Sequence, residues 1–169
     1  MIVRLIVSIA ILFTLSLLSA SWLSVISILG ARPDLGLLAV TWLAYRNGPV
    51  EGSSAAFLSG LFDDAMSAAP LGFNAAIKTL IAWIASFLHG SVHLDRIIMP
   101  VFVGAAATLL KAAWTTFLAL LFGGTLESYN FAGRKLWIEV GYNAFLAPIL
   151  FALLGVIFNI VDARRHGPK

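Results

Sequence analysis

Lys78 and Lys111 each interrupt an otherwise apolar stretch, residues 71–88 and 97–122, and Glu139 stands near the start of another, 136–161. A charged side chain at the centre of a membrane-spanning helix costs about 2.5–3.5 kcal/mol on insertion scales, so such groups pair or line a wet cavity. At the helical rise, Lys78 lies ~10 Å and Lys111 ~16 Å below the outer ends of their helices. Glu139 sits about one turn inside its own outer end. Asp63 and Asp64 close the outer end of an earlier apolar segment. The charges therefore share one half of the bilayer. Their helical neighbours are small or polar: Asn74, Ala82 and Ser86 beside Lys78, Gly104, Ala107 and Thr115 beside Lys111, Tyr142 and Asn143 beside Glu139.

Three chemistries fit that pattern. The plainest is an internal ion-pair network, with Lys78 or Lys111 paired to Glu139 or Asp64. The second is an outward-facing binding cavity lined by Lys78, Lys111 and Glu139, and the third is proton or ion transfer. Catalysis has no motif behind it: there is no G-x-S-x-G, no H-E-x-x-H and no glycine-rich phosphate loop. His89 and His93 have a metal-ligand spacing with Asp95 nearby, but no further ligand follows in sequence. No enzyme activity, metal or cofactor is expected.

The composition fixes the setting of these charges. The chain has 169 residues, 60% of them hydrophobic and 11% charged, with a mean hydropathy of +0.97. A soluble domain carries about 25% charged residues. Eleven Lys/Arg and eight Asp/Glu cannot keep a surface of this size in water. The net charge of +3 contains no basic run that could follow a phosphate backbone, which excludes a nucleic-acid binder. The absence of cysteine removes disulfides, thiol catalysis and acyl or prenyl anchors. An all-α integral membrane protein is expected, one transmembrane domain over residues 1–169 without a soluble domain.

About six transmembrane helices are expected. The uncharged run 5–31 gives the first, too long for a cleaved leader, and 71–88, 97–122 and 136–161 give the last three. Between them, 35–45 and 50–62 flank Arg46-Asn47-Gly48-Pro49-Val50-Glu51. Each covers only ~16–20 Å, either as a thin tilted span or as half of a re-entrant pair. Arg4, Arg46, Arg96, Arg164, Arg165 and Lys169 then fall on one side, against Arg32, Arg134 and Lys135 on the other. The positive-inside rule places both termini in the cytoplasm.

Gly48, Gly52, Ala56, Gly60 and Asp64 recur at every fourth position. On a helix this is one small-residue face ending in a carboxylate, which lets two backbones approach closely. Packing within the chain is the first reading, docking of a partner's transmembrane helix the second.

Three segments read together carry a resemblance: Arg32-Pro33-Asp34 after the first span, the Gly48-Pro49 segment through Gly52, and Gly60 to Asp64 followed by Pro70-Leu71-Gly72-Phe73-Asn74. They resemble the bacterial rod shape-determining protein MreD family, with its R-P-D, G-P-x-x-G and G-x-x-x-D…P-L-G-x-N motifs. The resemblance implies a non-enzymatic component of the elongation machinery in the bacterial cytoplasmic membrane. It would bind the bitopic scaffold MreC in a complex with MreB, RodA and a class B penicillin-binding transpeptidase. The family's six-helix fold is similar to the substrate-binding subunits of energy-coupling-factor transporters. That similarity keeps a vitamin-type binding subunit, with an outward-facing polar cavity, as the alternative function. Partner or polar-network candidates are Arg32, Asp34, Gly48, Gly52, Gly60, Asp64, Asn74, Lys78, Lys111 and Glu139.

Overall fold

The computed structural model describes residues 2–21, 27, 30–67, 69–90, 97–122 and 128–165. These form five helices and, among the described residues, no strand: α1 (Ile2–Ser21), α2 (Leu35–Met66), α3 (Phe73–Ser86), α4 (Ile98–Leu121) and α5 (Arg134–Arg165). Two of them, α4 and residues Arg134–Ala163 of α5, are long and apolar enough to cross a membrane.

The helix α2 is two rods joined at a break. Gly48 has φ +83° and ψ −177°, a conformation closed to residues with a Cβ. Pro49 lacks an N–H and has a φ suited to a first helical position, so it starts a new rod where Gly48 ends the old one. The chain then doubles back. A Cβ added to Gly52 would overlap the Cα of Ala44, two residues that a continuous helix would hold ~12 Å apart. The short apolar stretches 35–45 and 50–62 thus lie antiparallel and in contact, the first rod extended by Arg46 and Asn47.

The first helix is described over Ile2–Ser21, most of the rest of the expected span 5–31 lies outside the described residues, and Gly30 to Asp34 are non-helical. Gly30 adopts φ +78°, and Pro33 disfavours helix at the residue before it.

The hairpin α2 is the hub of the bundle, in contact with each of the other four helices. One apolar cluster, including Leu12, Leu38, Trp42, Leu43, Leu154 and Phe158, joins it to α1 and α5. A second, of Leu37, Ile77, Ile81 and Ala107, joins it to α3 and α4. In contrast, α3 and α4 touch only narrowly. Phe102 and Leu120 on α4, and Phe145, Ile149 and Val156 on α5, are each more than half exposed. A coat of large apolar side chains on this scale is a liability in water and the ordinary surface of a chain in lipid.

The two ends of the bundle carry different chemistry. At one, Arg46 donates to Asn159 Oδ1 and Asp162 Oδ2, both at 3.1 Å. Its guanidinium also lies 5.3 Å and 5.5 Å from the ring centroids of Trp42 and Phe158. The hairpin tip is thereby fastened to the last turns of α5. The opposite end, around Asp34, gathers the charges.

Candidate functional site

Asp34 is the N-cap of α2. Its Oδ1 accepts from the Leu37 N–H at 2.9 Å, which satisfies one of the donors a helix start leaves open. Its Oδ2 takes Lys111 Nζ at 2.7 Å, and the same ammonium reaches Glu139 Oε1 at 2.8 Å. The Tyr129 hydroxyl donates to the other Glu139 oxygen at 2.9 Å. Burial pushes that hydroxyl up to about 12, which keeps it a donor. The Asp34 N–H donates to Asn143 Oδ1, and Asn143 Nδ2 donates to Thr108 Oγ1, both at 2.9 Å. One connected network therefore ties the start of α2 to α4, to α5 and to the segment before α5. Asn143 is fully buried and Glu139 almost so. That is tolerable because their polar atoms are met.

Lys78 forms a second hub on the other side of Gly36. It pairs with Asp63 Oδ2 at 2.5 Å and donates to Ser59 Oγ at 3.0 Å and Ser16 Oγ at 3.5 Å. This hub ties α1, α2 and α3 together. The hubs meet at Gly36, where an added Cβ would come within 3.1 Å of Lys78 Nζ and 3.6 Å of Asp34 Oδ1.

Asp64 does something different from its neighbour. Its carboxylate accepts three backbone N–H groups, from Asn74 at 2.7 Å, Gly72 at 2.9 Å and Ala75 at 3.2 Å. A buried anion at the first turn of α3 satisfies its open donors and complements the helix dipole. The expected Lys111–Glu139 pair is present. Asp64 is not a lysine partner; Asp63 takes that place. Consecutive residues point ~100° apart on a helix, so of two adjacent carboxylates only one faces Lys78.

The small-residue face is consumed inside the chain. A Cβ at Gly60 would overlap the backbone of Ala75, so this glycine lets α2 and α3 meet. Gly52 meets Ala44 in the same way, and Gly48 forms the break beside the His89 ring. The His89 Nδ1 lies 2.7 Å from the Tyr45 carbonyl. His93 and Asp95 lie outside the described residues. Among the described residues no group of three His, Cys, Asp or Glu is placed to hold a metal.

Above the network opens a cavity of about 470 Å³, with Arg32, Asp34, Asp63, Asn74, Lys111 and Glu139 in its lining. A second, of about 360 Å³, lies beside it between α3 and α4 and shares Asn74, Lys111, Tyr129 and Lys135. Arg32 is exposed on the first cavity's wall and Asn74 borders both. Tyr129, Ser16, Ser59 and Thr108 were not anticipated. A hydroxyl carries no charge signal in a sequence.

The family described as rod shape-determining protein MreD matches residues 1–157. The chain belongs to the MreD family. It is therefore a membrane protein of the rod-shape machinery, with a role in determining cell shape. No curated protein and no solved structure matches it. The geometry gives this MreD chain's motifs a physical content: Asp34 caps α2 and holds Lys111, Gly60 admits α3, and Asp64 caps it.

Proposed function

We propose that this MreD chain is a non-enzymatic membrane scaffold of the elongation complex. It binds MreC directly, in a complex with MreB, RodA and a class B penicillin-binding transpeptidase. It is one transmembrane domain over residues 1–169 in the bacterial cytoplasmic membrane, crossed about six times with α2 as two short spans, in a fold like that of energy-coupling-factor binding subunits. Both termini are cytoplasmic. The fastening of Arg46 to Asp162 supports that topology, because it joins the hairpin tip to the C-terminal end of α5.

The observation that carries the scaffold reading is that the buried and half-buried charges are spent on holding helices together. Lys78, Lys111, Asp64 and Glu139 all have partners within the chain. None is an unpaired group poised for chemistry, and a rigid bundle with an apolar coat is suited to hold a partner's helix. The 470 Å³ cavity is the one observation that favours the alternative, a binding subunit for a soluble ligand.

The chain contains no cysteine, so single cysteines can be placed without background. Cysteines introduced across the exposed faces of α3, α4 and α5 should crosslink to MreC in membranes from at least one contiguous face. Cysteines at the interior positions Ala44 and Ala75 should not. A uniform absence of MreC crosslinks from every exposed face would contradict direct binding.

A further inference from the structure

We propose that the joined cavities at the Asp34 end hold one anionic phospholipid, its phosphate on Arg32 and Lys135 and one acyl chain leaving between α3 and α4. Four observations carry this. Arg32 and Lys135 both line the larger cavity, both are exposed, and neither has an ion-pair partner among the described residues. The other charges around that cavity are held in ion pairs: Lys111 sits between Asp34 and Glu139, and Asp63 is matched by Lys78. With Lys78 counted, four cations face three carboxylates, so the site keeps one positive charge, and its unpaired cations, a guanidinium and an ammonium on one cavity, suit a phosphate.

The smaller cavity supplies the apolar half. It opens where α3 and α4 barely touch, and Phe73, Ile77 and Leu136 give it an apolar side opposite polar residues such as Asn74, Tyr129 and Asn130. Thr115 lines it too, 6% exposed, and its Oγ1 is buried with no hydrogen-bond partner. A buried hydroxyl without a partner is costly, and an ester carbonyl below a headgroup would accept from it. A soluble anion would use the cations and leave the apolar cleft and Thr115 unmet. A partner's transmembrane helix would fill the cleft and leave the cations unmet. A lipid with a charged head and ester-linked chains meets all of them.

The test is native mass spectrometry of the full chain, delipidated in mild detergent and titrated with phosphatidylglycerol, phosphatidylcholine, glycerophosphoglycerol or inorganic phosphate. One phosphatidylglycerol per chain should bind at least ten-fold more tightly than phosphatidylcholine or either chainless phosphate. The exposed double variant R32Q/K135Q should lose that preference, R32K/K135R should keep most of it, and Thr115→Phe should weaken the lipid without affecting the chainless phosphates. Equal binding of the chainless phosphates would show a free-anion site and overturn the proposal. So would an unchanged preference in R32Q/K135Q, which marks ordinary surrounding lipid, or crosslinking of a Thr115→Cys variant to a partner's helix with no lipid adduct.

Discussion

Lys111 Nζ lies 2.7 Å from Asp34 Oδ2, across 77 residues of sequence, and that contact makes the cap of one helix the counter-ion of another. The start of α2 cannot shift without uncovering a charge on α4. Glu139 completes the arrangement at 2.8 Å. Removing one member of a fully buried pair typically costs about 3–5 kcal/mol because it strands the other, and this half-buried cluster should cost less. Lys111→Met should therefore lower thermal stability in detergent, since it leaves two facing carboxylates. The double variant K111M/E139Q should be more stable than K111M alone. Additive losses across that cycle would contradict the pairing.

Asp64→Ala should uncap α3. It removes an acceptor from the N–H groups of Gly72, Asn74 and Ala75, and the loss of a buried cap of this kind is about 1–3 kcal/mol. Hydrogen exchange should rise first at residues 72–75, ahead of global unfolding. Asp63→Ala should leave that exchange unchanged and destabilise through Lys78 instead. Identical exchange patterns in the two variants would contradict the separate roles.

How much of this was legible in the sequence depends on the kind of contact. The positions of α4 and α5 follow from long apolar runs, and the inward faces of Lys78 and Lys111 follow from their small neighbours. Depth brings Lys78, Lys111, Glu139 and Asp64 into one half of the bilayer and leaves open which lysine takes which carboxylate. Depth cannot choose between Asp63 and Asp64, which differ by one residue and point to different helices. Nor can it show that Asp34 joins Lys111, because a capping residue and an ion-pair partner look alike in a string of letters. Gly48-Pro49 announces a break, but the fold-back that packs Gly52 on Ala44 is a tertiary fact. The small-residue face read first as internal packing, and its contacts with Ala44 and Ala75 are of that kind.

Gly60→Leu and Gly52→Leu should fail to assemble, because the added side chains meet backbone that cannot move aside. Gly141 has open space where a Cβ would go, so Gly141→Leu serves as the control and should be tolerated. The readouts are monodisperse yield in detergent and rescue of rod shape in depleted cells. Normal rescue by both of the first two variants would remove the close-packing account.

Tyr129 gives the network an alkaline limit. Its hydroxyl is held near 12 in the folded chain, against about 10 for an ordinary tyrosine. A raised folded value means that the proton is bound more tightly in the folded state. The stability it brings is fully present below pH 10 and is lost as pH rises from 10 through 12. Thermal unfolding of Tyr129→Phe should start lower at neutral pH and fall less steeply across that window. Parallel curves for the two proteins would contradict the assignment.

Whether this MreD chain works by holding partners is read from what leaves the membrane with it. The tagged chain should be purified from native membranes in mild detergent, with mass spectrometry of both proteins and small molecules. MreC should come away together with RodA and the transpeptidase, and with no stoichiometric water-soluble ligand. Recovery of ATPase subunits with a bound vitamin-type compound, and no MreC, would contradict it.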